Sequence, residues 1–193
     1  MRRVLHGEDA VRRLRLRLTV SAEAGSGLDR PSIRLADLTG PDALEVGAAV
    51  RAYLLQTERE KSLQEHGSER DPAVPLPDRY LREVDDPAEA YAAHRVRVAQ
   101  FDERIVGVVV LSVHDGVAEI KRLWAQPDVR GRGVGSALLD AAVADAVDLG
   151  ASQVRLSVWE WRDGPVRLYE SRGFERVPSW DDRERLVCMA RVV

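Results

Sequence analysis

The chain has 193 residues, 45% of them hydrophobic and 32% charged, with a formal net charge of −3. That length suits one domain of about 150 residues with some surplus, and the composition is globular rather than disordered. No run approaches the ~18–20 apolar residues of a membrane span, the net charge offers nucleic-acid phosphates no general attraction, and the single cysteine, Cys188, excludes an intramolecular disulfide framework.

Residues 12–20 alternate arginine with apolar residues at the period of two that suits a half-buried strand. Residues 21–30 are small, polar and glycine-containing, which reads as a linker. An N-terminal extension over 1–30 is therefore expected ahead of a domain over 31–193. The arginine–leucine strip could dock as an edge strand, bind something acidic, or remain a solvated tail. Arg2 and Arg3 are followed by Glu8 and Asp9 before any apolar stretch, so no secretory signal is expected and the cytoplasm is the default location.

A short strand is expected over 33–36, then a helix over 42–56 from the spacing of Leu44, Ala48, Val50, Tyr53 and Leu54. Charge followed by Pro72, Pro75 and Pro77 makes 58–77 an expected irregular stretch, with a short helix near 78–84 and a break at Asp85-Asp86-Pro87. Three strands over 95–101, 105–113 and 118–125 are joined by turns too short for anything but antiparallel pairing. A helix follows, with Leu138, Leu139, Ala142, Val143, Ala146 and Leu149 on one arc and Asp140, Asp145 and Asp148 outside it; Gly150 ends it. A strand over 153–159, a short helix opened by Pro165 and closed by Gly173, and a final strand over 186–193 complete the chain. The order predicts an α/β (α+β) fold: a mixed, mostly antiparallel sheet of six to seven strands flanked by helices.

The chemistry concentrates where the third strand of the meander meets Arg130-Gly131-Arg132-Gly133-Val134-Gly135 at a helix start. Helix N-termini carry unpaired N–H groups and about +0.5 of a charge, which suits a phosphate, and glycines bring the backbone close to it. A Walker loop needs Gly-Lys-Ser/Thr, and neither Lys61 nor Lys121 lies here; a dinucleotide fingerprint wants a glycine where Ser136 stands. The histidines, His6, His66, His94 and His114, match no metal-ligand spacing, so no metal is expected.

Three motifs are similar to the Gcn5-related N-acetyltransferase family: Arg130-x-x-Gly133-x-Gly135, Leu123-Trp124-Ala125-x-Pro127, and Leu168-Tyr169-Glu170-x-x-Gly173-Phe174. The resemblance covers about residues 31–193. It implies an acetyl-CoA-dependent N-acetyltransferase with a GNAT-like fold, the pantetheine lying in a split between two central strands. Carried onto this chain, it puts Leu123, Trp124 and Ala125 along the pantetheine, and Arg130, Gly131, Arg132, Gly133, Val134, Gly135 and Ser136 at the pyrophosphate. It implies Tyr169 as the acid for the leaving thiolate and the Leu123 amide as donor to the carbonyl oxygen. Glu119 is the candidate base, weighed equally against an ion pair with Lys121 or Arg122. The family often has an asparagine and a small residue where this chain has Arg162 and Pro165, so the helix start is built differently; Arg162, beside Trp161, is expected to line a groove without a catalytic role.

The function expected is acetyl transfer to a primary amine of a small molecule. The alternatives are a non-catalytic acyl-CoA-binding or regulatory module, and acylation of a protein N-terminus or other macromolecule. Neither a nucleic-acid nor a membrane partner is expected, and a homodimer is left open. Glu58, Glu60, Glu65 and Glu69 could draw in a cationic amine, or lie on a solvated segment.

Overall fold

The structure, a computed structural model, describes residues 30–193, so the strand expected over 12–20 lies outside the described residues. Strand β1 (Ser32–Leu35) leads into helix α1 (Asp42–His66). This helix runs ten residues past the expected end at Gln56. The charged segment beyond it holds no proline or glycine, Gln56 bonds Glu60 and Lys61 pairs with Glu58 one turn apart, and the left-handed Gly67 finally caps it. Charge alone does not break a helix.

A 3-10 turn (Asp78–Tyr80) and two short helices follow, α2 (Leu81–Asp85) and α3 (Pro87–Ala90). The break expected at Asp85-Asp86-Pro87 is the start of α3, because Asp86 accepts from the Glu89 amide at 3.0 Å and Pro87 suits a first helical position. Helices α1 and α2 touch closely: a Cβ on Gly47 would lie 2.4 Å from the Val84 carbonyl oxygen.

The expected meander forms as β2 (Arg95–Phe101), β3 (Arg104–His114) and β4 (Val117–Ala125). A second 3-10 turn (Pro127–Val129) and the glycine loop lead to α4 (Val134–Asp148), then β5 (Gln153–Trp159) and α5 (Asp163–Ser171). A hairpin of β6 (Glu175–Val177) and β7 (Leu186–Val192) closes the chain; β6 is an added element, too short to show a period. The sheet has seven strands in the order β1-β2-β3-β4-β5-β7-β6, and only β4 and β5 pair in parallel. Apolar layers cover both faces. Val106, Val109 and Leu111 of β3 pack with α4, while Ile105, Val108 and Val110 pack with α1, which explains the unbroken apolar run of that strand. Among the described residues no helix is long and apolar enough to cross a membrane.

Asp145 is a correction. It stands seven residues after Leu138, within about 20° of it on the wheel, and so lies on the apolar arc. It is 1% exposed, and Arg97 from β2 donates to its two oxygens at 2.6 Å each. Leu149, expected on that arc, follows the last helical residue and is exposed.

Candidate active site

The site begins with a failure of pairing. Strands β4 and β5 stay in register from Val117↔Gln153 to Ile120↔Leu156 and no further. The cause lies on β4, where the register with β3 slips between Val108↔Trp124 and Val110↔Lys121. Arg122 and Leu123 together oppose Val109, a bulge in which Arg122 adopts φ +54°. A bulge bends and twists its strand, so β4 swings away from β5. Beyond it the Gln126 amide donates to Val106 of β3, and alternation along the strand turns the Leu123 and Ala125 backbone groups toward the gap.

The bulge is pinned from outside the sheet. Arg122 Nε and Nη2 each donate to Glu83 of α2 at 2.7 Å, and the Tyr91 hydroxyl donates to Glu83 Oε2 at 2.6 Å. Burial pushes the Glu83 carboxyl upward, but Arg122 and Tyr91 outweigh it and hold it below the usual carboxylate range. Burial also pushes the Tyr91 phenol up, and Glu83 pushes it further.

Two cavities flank the split. One, of about 590 Å³, lies between α1 and the diverging strands and holds Glu119, Lys121 and Trp159 on its walls. The other, of about 850 Å³, runs along Leu123, Trp124 and Ala125 to Gly133, Gly135 and Ser136. Tyr53, Leu123, Arg162, Pro165 and Tyr169 line both, so the cavities meet there. Burial, with a smaller push from Tyr53, raises the Tyr169 phenol well above its ordinary value, and Arg162 opposes them; it therefore keeps its proton at neutral pH.

The larger cavity ends at the start of α4. The helix ladder opens with the Ala137 amide on Gly133 oxygen at 2.9 Å, leaving the amides of Val134, Gly135 and Ser136 ahead of it, with no side-chain cap. Gly133 has φ +82°, and a Cβ there would meet nothing within 4 Å, so a side chain would project into the space a ligand needs. Arg130 donates to the Ala125 carbonyl at 3.2 Å and to Gln56 at 2.7 Å, spanning this cavity's wall. Arg132 turns away instead, its guanidinium 4.0 Å from the centroid of Phe101 and its amide on Val129 oxygen, although Gly131 and Val134 on either side line the cavity.

Glu119 lies on the wall of the smaller cavity, and of its two expected ion-pair partners Lys121 is within reach and Arg122 is not, while an unexpected third stands closer. Arg155 of β5 donates to it at 3.0 Å, Lys121 stands 3.9 Å away, and Arg122 belongs to Glu83. Glu58 and Glu60 of α1 are likewise engaged. Arg162 donates to Glu60 at 2.6 Å and to the Thr57 hydroxyl at 2.9 Å, and Lys61 lies 3.3 Å from Glu58. Sequence reasoning places Tyr53 among core residues; its helical spacing gave no sign that its ring stands at 5.5 Å from Arg162 and 5.7 Å from Arg122. Glu83 carries no motif and is found only through its contact with the bulge.

A profile of the acetyltransferase (GNAT) family matches residues 55–174. The chain is 41% identical over 67 residues to an uncharacterised N-acetyltransferase of Methanocaldococcus jannaschii, covering 33% of this chain and 30% of that protein. It is 35% identical over 54 residues to a thialysine N-epsilon-acetyltransferase of Sus scrofa, covering 28% and 32%. The chain thus spans about a third of the length of these curated relatives. A PaiA N-acetyltransferase of Thermoplasma acidophilum, solved with coenzyme A, shares the fold with a TM-score of 0.60 at 16% identity, covering 84% of this chain and 99% of that one.

Proposed function

The chain belongs to the acetyltransferase (GNAT) family, and from that premise we propose that it transfers an acetyl group from acetyl-CoA to a primary amine of a small molecule within one ternary complex. The observation that carries the proposal is the convergence of two cavities on Leu123 and Tyr169. One cavity is long enough for a donor and ends in free helix amides; the other leads to a carboxylate.

The larger cavity fits acetyl-CoA. Gly133 leaves the loop backbone bare, the α4 amides suit a pyrophosphate, and the backbone groups of Leu123 with the N–H of Ala125, whose carbonyl already accepts from Arg130, suit the amides of pantetheine. Arg130 and the loop from Gly131 to Ser136 form that end of the site, Arg132 through its place in the turn. When bound, acetyl-CoA supplies an acyl group already activated as a thioester. The Leu123 N–H serves as a fixed donor for the carbonyl oxygen, costing no reorganisation because the bulge holds it. Tyr169 holds the proton destined for the thiolate. Glu119 takes the proton lost by the amine, directly or through a water.

The test is ligand-induced stabilisation joined to thiol release. A ligand that binds only the folded state adds RT ln(1 + [L]/Kd), about 2.7 kcal/mol at a hundredfold excess over Kd. Acetyl-CoA is expected to raise the Tm, and Gly133→Val to abolish that rise. Valine at a left-handed position also costs about 1–2 kcal/mol, so the variant's own baseline falls. A full shift in Gly133→Val would remove the loop from the site.

A further inference from the structure

The smaller cavity has an unusual charge balance for a place that must receive an amine. Among the described residues six cationic side chains line it, Lys61, Arg79, Lys121, Arg122, Arg162 and Arg183, against one carboxylate, Glu119. Four of the cations have close partners: Arg122 has Glu83 at 2.7 Å, Arg162 has Glu60 and Arg183 has Asp181 at 2.6 Å, and Lys61 has Glu58 at 3.3 Å. Among the described residues the other two have no carboxylate oxygen closer than 3.8 Å, and Arg79 donates to the Tyr80 hydroxyl at 3.2 Å. Lys121 has Glu119 only at 3.9 Å, and that carboxylate lies closer to Arg155 at 3.0 Å. Arg79 stands 3.8 Å from Glu58, which it shares with Lys61 and with Arg70 at 3.9 Å. The glutamates that a positively charged substrate needs are already taken.

Deepening the acetyl-transfer reading and resting on it, we propose that the acceptor is an amine carrying a carboxylate in the same molecule, an amino acid in the chemical sense, with Lys121 and Arg79 receiving the carboxylate. The aromatic walls, Tyr53, Tyr80 and Trp159, give the remainder of the molecule an apolar surface. The excess positive charge acts on the amine as well. An ammonium ion beside cations gives up its proton more readily, so the cavity favours the neutral, nucleophilic form. A polyamine, whose every group is cationic, meets the same repulsion with nothing to offset it. The two roles agree: the carboxylate is held and the amine is uncharged.

The test uses matched triplets built on glycine, leucine, phenylalanine and glutamine: the acid, its carboxamide and the decarboxylated amine. Thiol release from acetyl-CoA gives kcat/KM, and calorimetry on the CoA-saturated enzyme gives affinity. The acid of at least one triplet is expected to exceed its amide and amine by about tenfold or more, an outcome that the lower basicity of the amide works against. Lys121→Gln and Arg79→Gln are each expected to shrink the acid-over-amide ratio about tenfold, the size of one charge-assisted contact. Amides or amines that match the acids in both measurements overturn the proposal, as does an unchanged ratio in both variants. The underlying reading is scored separately. If acetyl-CoA neither stabilises the protein nor releases thiol, acetyl transfer fails, while calorimetry of the acids on the same protein still reads the anion site. If acetyl-CoA binds and no acid does, the anion site fails alone.

Discussion

Replacing Arg122 with glutamine should unfasten the bulge while leaving the strand in place. The pair it forms with Glu83 is bidentate at 2.7 Å, and the two side chains are 22% and 21% exposed. Breaking a fully buried pair costs about 3–5 kcal/mol and an exposed one about 0–1, so at this partial exposure a loss of about 1–3 kcal/mol is expected. For a chain of this size that is a fall in Tm of about 3–10 °C. The pH dependence carries the sign. In the parent, Glu83 is held below its ordinary value, so its contribution is present above the unfolded pKa of about 4.3 and is lost as the pH falls through the folded value. In the variant, burial remains and the guanidinium is gone, which turns the carboxylate into a cost at neutral pH and none once it is protonated. The Tm gap between parent and variant should therefore be widest near pH 7 and close toward pH 4. Arg122→Gly should lose about 1 kcal/mol less than Arg122→Gln, because φ +54° strains every residue but glycine. Since the bulge presents the Leu123 amide, kcat should fall more than the KM for acetyl-CoA rises. A gap that stays constant or widens on acidification, measured by thermal melts from pH 4 to 8, refutes the account.

Tyr169→Phe should lower turnover by about 10²–10⁴-fold with little change in acetyl-CoA affinity; unchanged turnover with a substrate whose chemistry is rate-limiting would leave Tyr169 as packing against Phe174. Glu119→Gln should depress turnover most at low pH and recover toward high pH, where the amine deprotonates unaided; a parental pH–rate profile with a stability lower by no more than about 1 kcal/mol would make the carboxylate simply the partner of Arg155. Asp145→Ala should cost about 2–4 kcal/mol by urea denaturation, since Arg97 is left part-buried beneath α4; a loss under about 1 kcal/mol contradicts the assigned pairing.

The strands of the meander and the glycine loop were legible because their signals are local. Alternation marks β2 and β4, turn residues bound them, and the loop's glycines announce a bare backbone before α4. Of what escaped, the end of α1 rests on local charge pairs and the rest on contacts far apart in sequence. The C-terminal turns of α1 were hidden because charge was read as irregularity, although Lys61 and Glu58 stabilise the helix they lie on. Asp145 was misplaced by treating a charge as a marker of solvent when an arginine 48 residues away in β2 neutralises it. The bulge at Arg122 has no signature in the residue itself; only the register against β3 shows it. The acceptor cavity is the extreme case. The glutamates of α1 are visible in the sequence and could draw in a cation, whereas the Arg162 that occupies Glu60 comes from a segment about 100 residues on.

The split between β4 and β5 amounts to two strand edges facing each other inside a sheet. An exposed edge is ordinarily an invitation to another chain, and proteins blunt it with charge, shortness or cover. Here α1 and α5 line the gap, and Arg130 ties the Ala125 carbonyl of the β4 edge to Gln56 of α1, so that edge is covered as an outer one would be. A whole strand would have to displace these helices, whereas the pantetheine of the proposed donor needs only the one rung left unpaired. The fold thus leaves part of one rung of its sheet unpaired without leaving a long edge uncovered.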